Sequence, residues 1–112
     1  MTGEPFEEIL LRAVDESLTS LGQSVRHAVF YHLENKFKVP RDDIPKRVKD
    51  FADGIEKIFG AGAQFLEILI MKKLYEKIGQ PLEWNKTKEF SFVDYIETAK
   101  RCYMQKRKAN NS

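Results

Sequence analysis

The chain has 112 residues, 42% of them hydrophobic and 12% aromatic, with a formal net charge of +2. That length suits one domain, which can bury roughly 60–70% of its unfolded surface without staples. The composition excludes a disordered chain, and the charge, nearly balanced overall, falls short of the strongly basic stripe expected of a dedicated nucleic-acid binder.

Charge is uneven along the chain: residues 1–22 hold five acids (Glu4, Glu7, Glu8, Asp15, Glu16) against Arg12 alone, whereas Lys100 to Lys108 holds five bases and no acid. Cys102 is the single cysteine, so no intramolecular disulfide can form and a reducing, cytoplasmic setting is expected. The opening MTGEPFEEI lacks the basic-then-apolar layout of a signal peptide. The longest nearly uncharged run, Ile58 to Met71, contains Glu67 and falls short of the roughly 20 residues of a membrane span. A soluble protein without membrane contact is expected.

Pro5 suits the first turn of a helix, where its missing N–H is no loss, and Phe6, Ile9, Leu10, Ala13, Val14, Leu18 and Leu21 then share one face. This first helix is expected to end near Thr19. Ser20 and Gln23 have the spacing of a capping box, with Gly22 either inside the next helix or closing the previous one. The second helix, to about Phe37, spreads Val25, Ala28, Val29, Phe30, Leu33 and Phe37 over a wide arc, which predicts burial on two sides. His32, between Ala28 and Leu33, is expected to be tucked into the core, and His27 exposed. Residues 38–45, KVPRDDIP, read as a connector with room for one helical turn.

A third helix runs from about Lys46 or Val48 to Phe59, with a narrow stripe of Val48, Phe51, Ala52, Ile55, Ile58 and Phe59. Gly60 and Gly62 are both expected to serve backbone conformation at a sharp corner. The fourth helix, to about Ile78, is apolar in nearly every direction from Ala63 to Met71, interrupted by Gln64 and Glu67, and is expected to be enclosed there by other helices or by a partner chain. Gly79 is placed as its C-cap, with Pro81 preventing continuation. Residues 80–90 form the longest break, within which Leu82 and Trp84 alternate weakly. The last helix has the clearest start: Ser91 as N-cap, Asp94 three residues on, and Phe90 placed to staple against Tyr95. Phe92, Ile96, Ala99 and Tyr103 form its predicted buried stripe, and the terminal KRKANNS is expected to fray. The fold class is therefore a single all-α domain of about five helices around a central hydrophobic helix.

Chemistry-bearing motifs are sparse. His27 and His32 are five residues apart, roughly 140° around a helix, so they cannot share a metal as an i, i+4 pair would. Gly60-Ala61-Gly62 is followed by no Lys-Ser/Thr pair and preceded by no strand, which argues for a corner over a phosphate loop. The helix-three to helix-four joint resembles a helix-turn-helix connector, yet Phe65, Leu66, Ile68 and Leu69 occupy the end that would have to reach base edges. Asp42 with Asp43 and Glu7 with Glu8 have no placed partner for acid/base work. No catalytic residue, cofactor or metal site is expected.

The run ESLTSLGQSVRHAVFYHLENKFKVPRDDIP, followed by DFADGIEKIFGAGAQFLEILIMKKLYEKIG, resembles a family of small archaeal all-helical domains of unknown activity, including Nitrosopumilus output-type domains. The resemblance spans about Glu16 to Gly79, and its most specific parts are the SLG-to-YHLE helix, the DDIP connector and the EKIFG-x-GA joint. It implies a cytoplasmic helical domain used in signalling or regulation through protein contacts, and it brings no catalytic residues. The expected function is a non-enzymatic protein-interaction or regulatory module with a protein partner or as a homodimer, Phe30 and Tyr31 being the candidate interface. The alternative is a nucleic-acid binder using Lys100, Arg101, Lys106, Arg107 and Lys108 against phosphates. A small-molecule sensor built around the fourth helix is a third reading.

Overall fold

The computed structural model describes residues 5–83 and 90–110, with the side chains of 107–110 outside that description. Five α-helices occupy the described residues: α1 (Phe6–Ser20), α2 (Gln23–Asn35), α3 (Val48–Phe59), α4 (Ala63–Ile78) and α5 (Phe92–Asn110). A 3-10 turn, Arg41–Lys46, fills the connector between α2 and α3, and a second, Gly60–Gly62, makes the corner between α3 and α4. No strand occurs among the described residues. The architecture is an all-α domain in which α4 packs against α1, α3 and α5, so α4 is central.

The helix ends follow local chemistry. Pro5 precedes α1 in an extended conformation, and its carbonyl accepts the Glu8 and Ile9 N–H groups. Gly22 (φ 121°) breaks the chain between α1 and α2. The predicted Ser20–Gln23 capping box is absent: α2 has no side-chain cap, and the Ser20 hydroxyl donates instead to the Ser17 carbonyl at 2.6 Å. At the other end of α2, Lys38 takes the left-handed conformation (φ 60°) and the Val39 N–H closes back onto the Leu33 carbonyl at 2.8 Å. Lysine stands there where glycine is usual, and the Arg47 guanidinium donates to the exposed Lys38 carbonyl.

Gly79 (φ 68°, ψ 33°) caps α4 as the sequence predicts, with the Gln80 N–H donating to the Tyr75 carbonyl at 3.0 Å. The start of α5 also matches: the Asp94 N–H donates to Ser91 Oγ at 3.3 Å, and the Phe90 and Tyr95 rings stack at 5.8 Å. Of the stripe predicted for α5, Phe92, Ile96 and Ala99 are buried and Tyr103 is half-buried. The helix continues to Asn110, so KRKANNS is helical over its described residues. Trp84 lies outside the described residues.

Three expectations about packing are corrected. Burial on two sides of α2 does not occur: only Val29 and Leu33 are buried, Val25, Phe30 and Phe37 are half-buried, and Ala28 is exposed. The reason is that α2 leans on α1 and α3 from one side, so the edge of its apolar arc stays in water. His32 shares that edge and is exposed, in edge contact with the Tyr31 ring at 5.8 Å. The first half of α4 is enclosed on its inner face alone. Ala63, Leu66, Glu67, Ile70 and Met71 are buried, whereas Ile68 and Leu69 are half-buried and Phe65 is 68% exposed.

The corner and the α2–α3 crossing use glycine differently. Gly60 (φ 58°, ψ −127°) has a backbone that side chains rarely adopt. Gly62 does not share that role, since its φ of −76° and ψ of −9° are ordinary helical values open to any residue. Gly54, in the middle of α3, is buried because α2 passes there: a Cβ at Gly54 would lie 2.8 Å from Leu33 Cδ2.

Candidate protein interface

Phe30 and Tyr31 are neighbours on α2, about 100° apart around the helix, and their surroundings differ. The Phe30 ring has two guanidinium groups near it, Arg26 at 5.2 Å and Arg41 at 5.7 Å from its centroid. Both cations converge on Asp15 of α1. Arg26 donates from Nε to Oδ1 at 2.6 Å and from Nη2 to Oδ2 at 3.0 Å, and Arg41 donates from Nη2 to Oδ2 at 2.9 Å. The Arg26 hydrogen bonds are the largest influence on the Asp15 carboxyl, which burial pushes up and Arg41 also draws down; the net result holds it well below the usual carboxylate range. The half-buried Phe30 thus lies against a clasp that joins α1, α2 and the 41–46 turn. Tyr31 is 59% exposed.

The larger uncovered apolar surface is on α4. Phe65 is the most exposed large hydrophobic side chain among the described residues, and one turn further along Ile68 and Leu69 are half-exposed on either side of the same outer face. Lys72 continues that face as an exposed charge without an ion pair among the described residues. The helix-wide apolar run marked this region in the sequence. Which side would stay open was not readable, because the run has no polar face to point outward.

The inner face of α4 holds what the sequence did not single out. Glu67 is 4% exposed and forms no hydrogen bond or ion pair among the described residues. Burial, and secondarily the Glu56 carboxylate on α3, push its carboxyl up to about 7. Tyr75, also buried, donates its hydroxyl to the Tyr95 carbonyl at 2.7 Å and is raised to about 12, chiefly by burial.

The basic residues of α5 do not act as one group. Lys106 turns back onto α4, donating from Nζ to the Gly79 carbonyl at 2.9 Å and to the Ile78 carbonyl at 3.4 Å. It serves the unsatisfied C-terminal carbonyls and negative dipole end of that helix. Lys100 and Arg101 are exposed, Arg101 donating to Thr98 Oγ1 at 3.3 Å, and the side chains of Arg107 and Lys108 lie outside the described residues. His27 is exposed on α2, Cys102 is half-buried on α5, and no group of three or more His, Cys, Asp or Glu side chains among the described residues could hold a metal. No described helix is long and apolar enough to cross a membrane. Comparison of the chain with protein-family models, with curated proteins and with solved structures found no match.

Proposed function

We propose that this chain is a non-enzymatic protein-interaction module of the regulatory kind, meeting a protein partner or a second copy through the outer face of α4. The observation that carries the reading is the uncovered Phe65, at 68% exposure, with Ile68 and Leu69 beside it on the helix that forms the centre of the fold. A large aromatic flanked by aliphatic side chains is the composition of an interface centre, where charged groups are depleted and aromatics enriched. Tyr31, exposed on α2, is a second anchor of the same type. Phe30 contributes by fixing the helix that carries Tyr31 and not by direct contact.

The nucleic-acid reading keeps one specific support, the exposed Lys100 and Arg101 on α5, neither of which has an acid partner among the described residues. One experiment separates the two readings. Self-association by sedimentation and partner capture from the native host are measured for the wild type, for Phe65→Ser with Leu69→Ser, for Tyr31→Ser, and for Lys100→Gln with Arg101→Gln. The interaction reading expects the α4 pair to abolish association with helical content unchanged, and the charge pair to do little. Salt-sensitive DNA or RNA binding overturns it if the charge pair lowers the salt slope by about one unit per phosphate contact and the α4 pair leaves binding intact.

A further inference from the structure

We propose that Glu67 is a proton-operated latch on the corner between α3 and α4: protonated, it lets the first half of α4 stay in the core, and ionised, it drives that half away from α3 about the Gly60–Gly62 turn. The inference stands independently of the partner reading.

The geometry supports a latch in three ways. Glu67 sits one turn beyond the corner, on the same inner face as Ala63, Ile70 and Met71, so the one side chain of that half-face able to carry charge has its stem packed among hydrocarbon. Every fully enclosed side-chain nitrogen or oxygen among the described residues has a hydrogen-bond partner, and Glu67 has none, so its carboxyl tip must graze solvent at the rim of the core. A small opening is therefore enough to hydrate it. The corner is also uncrowded: Gly60, Ala61 and Gly62 are all exposed, and nothing approaches within 4 Å of where a Gly60 Cβ would be.

The charges around the latch all leave it uncompensated. From α3, Glu56 presents a like charge, Asp50 is paired with Arg47, and Lys49, Asp53 and Lys57 are exposed and make no ion pair with Glu67. From α1, Asp15 is held by Arg26 and Arg41, Glu16 by Lys77 of α4 at 2.8 Å, and Arg12 lies on the exposed side. From α5, the inward stripe carries no charged side chain, its titratable neighbours being the half-buried Tyr95, Tyr103 and Cys102, while Lys106 is engaged at the far end of α4. The corner turn itself has no ionisable side chain. With no cation paired to it among the described residues, the ionised carboxylate gains by reaching water.

The sign follows from linkage. The closed state holds the proton more tightly than an open state, in which the carboxyl has its ordinary value near 4.5. The opening constant therefore rises with pH, by up to about tenfold per unit between roughly pH 5 and 7, and levels off above that. The test is amide hydrogen exchange on the intact chain across that range, corrected for intrinsic rates, with α2 as the internal reference. The expected result is a pH-dependent loss of protection confined to residues 63–71 and the facing turns of α3, absent in Glu67→Gln. A flat wild-type profile, the same slope in Glu67→Gln, or an equal loss throughout α2 overturns the latch. Carbon-13 titration of the Glu67 carboxyl in the wild type provides a second reading that needs no variant: a midpoint near neutrality supports it, and one near the ordinary glutamate value refutes it.

Discussion

Replacing Gly54 by alanine sets two opposed effects against each other at one methyl group. In a helix interior alanine is favoured over glycine by about 1 kcal/mol, so an uncrowded site would gain stability. Here the new Cβ would lie 2.8 Å from Leu33 Cδ2 and 3.5 Å from Cγ and Cδ2 of Phe37. Leu33 is fully buried, so its methyl has no solvent to swing into, and overpacking of this kind costs about 1–3 kcal/mol. The net expectation is a loss of about 1 kcal/mol. Leu33→Ala alone should cost about 2–5 kcal/mol through lost burial and the cavity left behind. In that background the obstructing methyl is gone, so adding Gly54→Ala should raise stability by about 1 kcal/mol, a coupling on the order of 2 kcal/mol. Urea unfolding of the four chains, followed by far-ultraviolet circular dichroism, measures each corner of the cycle. A Gly54→Ala chain more stable than wild type, with coupling near zero, would show that α2 and α3 do not approach as closely as described.

At the α3–α4 corner, Gly60→Ala should cost about 1–3 kcal/mol because its backbone lies at φ 58° and ψ −127°. Gly62→Ala should be neutral or stabilising by up to about 1 kcal/mol, since its conformation is helical and the nearest atom to a new Cβ is 3.9 Å away. Equal losses in thermal melts of the two variants would refute this division. Asp15→Asn should lower stability at neutral pH by about 1–2 kcal/mol, a range already reduced for the partial exposure of the clasp. Because the Asp15 carboxyl is held below its unfolded value, chiefly by Arg26, its contribution is complete above roughly pH 4 to 5 and declines as pH falls. The wild-type advantage should shrink steadily below about pH 4, and a difference that stays constant down to about pH 2.5 would count against the clasp.

What was legible in the sequence was what neighbouring residues decide among themselves. Pro5, Gly79 and the Ser91–Asp94 pair with its Phe90–Tyr95 staple mark helix ends through contacts within a few residues, and all are present in the structure. Apolar spacing likewise predicted the inner faces of α1 and α5, apart from Leu21, which is exposed just past the end of α1. It misplaced His32 and overstated the burial of α2, because periodicity reports the direction of an apolar arc and not how much of it a neighbour covers. The Asp15 clasp joins residues 11 and 26 positions apart, and Lys106 reaches a carbonyl 27 positions back, so neither leaves a local pattern.

The α4 helix shows the division most directly. Its sequence by itself determined that the helix packs in the core, since so apolar a segment must bury at least one face against neighbours. Which side would be left uncovered, and that Glu67 would face inward while Phe65 faced out, was decided by where α1, α3 and α5 dock. Helix period and end signals are set by bonds within one or two turns, whereas the sign of a residue's environment is set by surfaces that meet only after the chain has folded.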